Sequence, residues 1–126
     1  MIPQISDAEL LVMTILWRQG GAAFYASLMD APEILARGWQ KNTVITLLSR
    51  LVEKGLVTVR KQGRRNEYTA VVTEGEYQAE RARSLVDKLY RGEARGLVLT
   101  LVEQQMLTDD DYEELRSLWE KGRDKK

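Results

Sequence analysis

The sequence predicts a mainly α protein carrying one small β-hairpin, and three observations predict it. Apolar residues recur at helical spacing in the first half of the chain before any β-rich run appears. Two β-rich runs then flank a Gly-containing turn. A further set of helical apolar stripes closes the chain.

Ser6 stands three residues before Glu9, the spacing of a capping box, and Ala8, Leu11, Val12, Ile15 and Leu16 follow at helical intervals. A first helix is predicted from about Asp7 to Gln19, stopped by Gly20-Gly21. Ala22 to Ala31 reads as a second, shorter helix with Phe24, Leu28 and Met29 turned inward, and Pro32 to Gly38 as an irregular connector. Asn42 to Lys54 places Val44, Leu47, Leu48 and Leu51 at i, i+3, i+4 and i+7, a buried stripe on a third helix that ends at Gly55. Leu56 to Arg60 and Glu67 to Val72 read as strands, with Gln62-Gly63-Arg64-Arg65 turning between them. Thr73 opens a long helix to about Arg91, Gly92 breaks it, and Glu93 to Gln105 forms the next helix. Thr108-Asp109-Asp110-Asp111 caps a last one reaching Glu120. Three helices before a hairpin is the order of a winged helix-turn-helix. The chain therefore divides into a winged-helix DNA-binding domain over 1–72 and a C-terminal three-helix dimerisation domain over 73–126.

The 126 residues suit one domain, or two small units that share a core through dimerisation. A 44% hydrophobic and 30% charged composition is that of a folding chain rather than a disordered one. With no Cys and no His, disulfides, thiolate or imidazole metal ligands, Cys nucleophiles and His acid–base catalysis are all removed. No cofactor and no enzymatic activity are expected. The apolar runs are too short to span a membrane, and no basic segment followed by an apolar one marks a signal peptide, so a cytoplasmic location is expected.

The zero net charge conceals an asymmetry. Residues 1–72 hold nine Lys/Arg against six Asp/Glu, a net of +3, and residues 73–126 hold ten against thirteen, a net of −3. Between Arg37 and Arg65 lie eight basic residues and one acid, Glu53. Such a cluster is a candidate polyanion-binding surface, although an ordinary solvated face can carry similar charge.

If the apolar stripe of the third helix faces the core, its other side presents Lys41, Asn42, Thr43, Thr46, Ser49 and Arg50. These groups match base edges and phosphates, Arg suiting guanine and Asn adenine. Arg60, Lys61, Arg64 and Arg65 fall on the hairpin, where a wing lays cations against phosphates. A basic hairpin also protects an edge strand from aggregation, so the helix beside it is what favours DNA. The alternative is a winged-helix module that docks proteins without sequence-specific DNA binding, which would need an apolar patch on that helix. Only Ile45 is apolar there. Trp17 and Trp39 read as core or interface anchors.

In the C-terminal unit, Leu85, Leu89, Leu97, Val98, Leu101, Val102, Leu107, Leu115, Leu118 and Trp119 form stripes that three short helices cannot bury among themselves. A second copy would cover them, and a two-fold protein suits an inverted-repeat site. Packing back onto the N-terminal domain in a monomer is the other solution.

Ile5-Ser6-Asp7-Ala8-Glu9-Leu10 with Val12-Met13 and Leu16-Trp17, then Trp39, Thr43-Val44, Thr46-Leu47, Arg50-Leu51, Lys54-Gly55-Leu56 and Tyr68, resemble the penicillinase-repressor (BlaI/MecI) family. The tail from Leu97 to Glu103, with Glu113-Glu114-Leu115, is similar to that family's dimerisation domain. The resemblance runs from about residue 5 to 121. It implies a homodimeric transcriptional repressor on inverted-repeat operators of the TACA/TGTA type, controlling resistance genes such as that of a β-lactamase. It assigns base reading to Asn42, Thr43, Thr46 and Arg50, and backbone contacts to Ser6, Lys41 and the wing residues Arg60, Lys61, Arg64 and Arg65. In relatives a sensor-linked protease cuts an Asn-Phe bond in the dimerisation domain, and the matching pair here is Thr100-Leu101. The copper-responsive branch of the family uses Cys-x-Cys motifs, which this Cys-free chain cannot supply.

Overall fold

A computed structural model of the chain describes residues 2–124. The elements run α1 (Asp7–Arg18), β1 (Ala22–Phe24), α2 (Tyr25–Met29), α3 (Pro32–Arg37), α4 (Lys41–Glu53), β2 (Val57–Gln62), β3 (Arg65–Ala70), α5 (Glu74–Tyr90), α6 (Ala94–Glu103) and α7 (Asp109–Asp124). Among the described residues two compact units result, divided between Arg81 and Ala82, inside α5.

In the first unit a three-stranded antiparallel sheet of order β1-β3-β2 packs with the helices around one core. Val12, Met13, Ile15 and Leu16 of α1 meet Val44, Leu48 and Leu51 of α4, with Leu28, Ile34 and Leu56 completing the interior. The predicted stripe of the third helix is thus the buried face of α4. Trp17 donates its indole N–H to the Val72 carbonyl at 2.9 Å and lies 5.9 Å from the Tyr77 ring, which makes it the anchor expected of it.

Two expectations about the segment between α1 and α4 are corrected. Ala22–Phe24 is a strand, not the start of a helix, because Gly20 and Gly21, with φ of 94° and 89°, turn the chain along the open edge of β3. There Ala22, Ala23 and Phe24 face Thr69, Tyr68 and Glu67, and this pairing outweighs the local helical pattern. A strand therefore precedes the helices α2, α3 and α4. Pro32–Arg37 is a helix rather than an irregular connector. Pro32 fits the first helical turn, where its missing N–H costs nothing, and Gly38 closes the helix in the left-handed region at φ 64°. α3 is tied to α1 by a two-pronged ion pair between Arg18 and Glu33, one contact of which is 2.9 Å.

The hairpin is longer than expected. Its six rungs run from Val57 opposite Ala70 to Gln62 opposite Arg65, so Gln62 and Arg65 are paired and only Gly63-Arg64 turn. Gly63 takes φ 66° at the first loop position, which a two-residue hairpin loop asks of glycine.

Thr73 and Glu76 form a reciprocal cap on α5, at 3.0 and 2.8 Å. In the second unit, Thr108 and Asp111 cap α7 in the same way, at 3.1 and 2.9 Å. The Tyr90 hydroxyl donates to Thr100 Oγ1 at 3.1 Å, and Thr100 donates to the Gly96 carbonyl at 3.0 Å. No helix of the described residues is long and apolar enough to cross a membrane.

Candidate nucleic-acid interface

Helical periodicity separates α4 into two faces. While Val44, Leu47, Leu48 and Leu51 are buried, Lys41, Asn42, Thr43, Thr46, Ser49 and Arg50 are all exposed. Asn42, Thr43, Thr46 and Arg50 share one side because residues three, four, seven and eight apart neighbour each other on a helix. Thr46 is held by a hydrogen bond from Oγ1 to the Asn42 carbonyl at 2.8 Å. Arg50 has no partner among the described residues, which leaves its five N–H donors available. Gln40, the residue before α4, makes no side-chain cap; Thr43 and Val44 donate to its carbonyl, and the positive end of the helix dipole lies at Lys41 and Asn42.

The wing adds four exposed cations, Arg60, Lys61, Arg64 and Arg65. Along β2 the side chains alternate, so Arg60 and Lys61 point to opposite faces, and Arg64 occupies the tip. Arg60 lies 4.0 Å from Glu67, its cross-strand neighbour, in a solvent-exposed contact that leaves most of its charge uncompensated. The Arg65 guanidinium sits 3.9 Å over the Phe24 ring. Lys41 and Ile45 of α4 line the same cavity as Arg64 and Arg65, so the helix start and the wing tip flank one concave surface.

Ser6 is exposed at the start of α1, and its hydroxyl accepts from the Glu9 N–H at 3.1 Å while Glu9 Oε1 accepts from the Ser6 N–H at 2.8 Å. Glu9 Oε1 also receives Lys54 Nζ at 2.8 Å. Burial pushes the Glu9 carboxyl upward, but the hydrogen bonds from Lys54 and Ser6 prevail and hold it below its ordinary value. The start of α1 is therefore fixed to the end of α4. The sequence identifies Glu9 only as half of a capping box. The spacing of Ser6 and Glu9 carries no sign that the carboxylate is only 1% exposed and is the one buried charge among the described residues.

In the second unit, Leu85, Leu89, Val98, Val102, Leu115, Leu118 and Trp119 are exposed, Trp119 by 70%, while Leu97 and Leu101 are half-buried. Thr100 and Leu101 lie within α6, with Thr100 bonded to Tyr90.

The family model for the penicillinase repressor matches residues 5–121. The penicillinase repressor of Bacillus licheniformis is 30% identical over 125 residues, covering 99% of this chain and 96% of that one. The methicillin resistance regulatory protein MecI of Mammaliicoccus sciuri is 33% identical over 120 residues, 94% of each chain. Among solved structures, the chain is similar to the solution structure of the DNA binding domain of the repressor BlaI, with 35% identity and a TM-score of 0.53, over 61% of this chain and 92% of that one.

Proposed function

The chain belongs to the penicillinase repressor family, and from that premise we propose that it is a sequence-specific DNA-binding transcriptional repressor acting as a homodimer on an inverted-repeat operator of the TACA/TGTA type. The observation that carries the proposal is the outer face of α4. Apart from the half-buried Ile45 it is polar, it carries an unpaired Arg50, and it is flanked by wing cations. In this assignment Asn42, Thr43, Thr46 and Arg50 read bases, while Ser6, Lys41, Arg60, Lys61, Arg64 and Arg65 hold phosphates. A protein-docking module would instead offer an apolar face, and Ile45, the one apolar side chain on that side, is half-buried.

Exposed apolar side chains on α5, α6 and α7 support a second copy as their cover. The genes under control are assigned to antibiotic resistance, as the names of the relatives indicate. A sensor-linked protease releasing the repressor would act at Thr100-Leu101. Because that peptide is helical and Thr100 is tied to Tyr90, α6 must open before an extended protease substrate can form.

Fluorescence anisotropy of the chain on a TACA/TGTA inverted-repeat duplex and on a scrambled duplex, across a salt series, tests the assignment. A preference for the repeat of about a thousandfold, with affinity falling steeply as salt rises, is the expected result. Equal weak binding to both duplexes would overturn it.

A further inference from the structure

The concave surface between α4 and the wing is deep enough to be a site in its own right. It encloses about 360 Å³, inside the range of roughly 300–1,000 Å³ typical of small-molecule pockets. Phe24, Tyr25, Ile45 and Tyr68 form apolar walls, and Lys41, Arg64 and Arg65 stand around them. None of these three cations has a carboxylate partner among the described residues. Solvation of a nucleic-acid face accounts for cations, but not for an aromatic-walled cavity behind them.

Two tyrosines line this cavity. Tyr25 donates to the Lys41 carbonyl at 3.3 Å, and burial, with Tyr68 nearby, raises its pKa so that it stays neutral. Tyr68 is only 8% exposed and lines the cavity, and its hydroxyl, which no side chain or backbone group of the described residues engages, is open to solvent. The hydroxyl is thus free to donate to a ligand that enters the cavity. The Arg65 guanidinium, stacked on Phe24 at 3.9 Å, is a planar cation already oriented at the cavity wall.

We propose that this cavity binds a small organic anion with a planar apolar body, an aromatic carboxylate, and that the bound anion competes with operator DNA. The ring packs among Phe24, Ile45 and Tyr68, and the carboxylate meets Lys41 and Arg65 and accepts the Tyr68 hydroxyl. Lys41 and Arg65 then have their charge satisfied by the ligand, and DNA phosphates lose them. This second half rests on the DNA-binding function proposed above.

The test is a titration of the full chain with 2-naphthoate followed by ¹H–¹⁵N NMR, with 2-naphthylmethanol and acetate in parallel. Saturable one-to-one binding with a Kd below about 1 mM is expected, with shifts centred on Phe24, Tyr25, Ile45 and Tyr68. The alcohol and acetate should each bind about tenfold more weakly or worse, because one lacks the charge and the other the ring. Tyr68→Phe should weaken naphthoate about tenfold, and Ile45→Trp, which fills the cavity from another side, should abolish binding. At naphthoate tenfold above its Kd, the operator Kd should rise about tenfold. No saturation, equal binding of the alcohol, or full affinity in Ile45→Trp would overturn the site. Operator affinity unchanged by saturating naphthoate would overturn the competition. A chain that binds no operator at all defeats the repressor assignment, while the NMR titration still decides on the cavity.

Discussion

Lys54 Nζ lies 2.8 Å from Glu9 Oε1, so the residue that ends α4 is bound to the carboxylate that caps α1. Glu9 is almost wholly buried and its second oxygen, Oε2, has no partner, whereas Lys54 retains 36% side-chain exposure. Lys54→Met keeps the aliphatic stem and deletes the charge, leaving a buried carboxylate without a counter-ion. Chemical denaturation at pH 7 should show a loss of about 1–3 kcal/mol. The Glu9 carboxyl is held below its ordinary value near 4.5, so its contribution is complete above that pH and is lost as pH falls through the depressed folded value. Glu9→Gln should therefore lower stability at neutral pH and give a shallower decline than the parent below about 4.5. Parallel acid profiles in the two proteins would contradict the pairing.

Glu33 gives a second, independent titration. Its hydrogen bonds from Arg18 lower its carboxyl to about 2. NMR titration of the Glu33 carboxyl should find that value, and Arg18→Ala should raise it toward its ordinary value near 4.5, the backbone hydrogen bond and Arg37 still holding it somewhat below. The pair is at the surface, so Arg18→Ala should change global stability by no more than about 1 kcal/mol. An unshifted Glu33 in the parent would mean that α1 and α3 are not joined in this way.

Arg50 and Arg64 should fail differently. Arg50→Ala removes a free guanidinium from the outer face of α4 and should cost about 1–3 kcal/mol on the operator while relaxing sequence preference. Arg64→Ala removes a cation from the wing tip and should weaken all DNA alike, with a salt slope smaller by about 1. Equal losses on operator and random duplexes for Arg50→Ala would count against base reading.

Leu118→Asp probes the second unit. Leu118 is 61% exposed within one chain, so a carboxylate there leaves the fold of the protomer intact. If a second copy covers it, sedimentation velocity should show the dimer lost or its Kd raised by at least about tenfold. A dimer of unchanged affinity would place the interface elsewhere.

α1, α4 and the hairpin were legible because each announces itself locally, by a capping pair, an i, i+3, i+4, i+7 stripe, or β-branched runs about a Gly turn. β1 was not, because a three-residue strand has no measurable period and its partner β3 lies far along the chain. α3 carries a start and a stop signal in Pro32 and Gly38, but its six residues are too few to show a helical apolar period. The polar side of α4 followed directly from periodicity. The cavity beside it did not, since Phe24 and Tyr68 reach it only after β1 and β3 pair.

The pairing of Phe24 with Glu67 is the last rung of β1, and only two rungs of the hairpin, Lys61 with Asn66 and Gln62 with Arg65, continue past it. The wing is thus a short cantilever on a clamped base. One residue added to each strand at the tip extends the ladder by a rung and leaves the clamped rungs in register, whereas a single added residue has no partner and must bulge or enlarge the turn. Reach along a DNA backbone can accordingly be lengthened or trimmed in steps of about 3.4 Å per added rung with no demand on the core, which makes the wing tip the natural place for engineering.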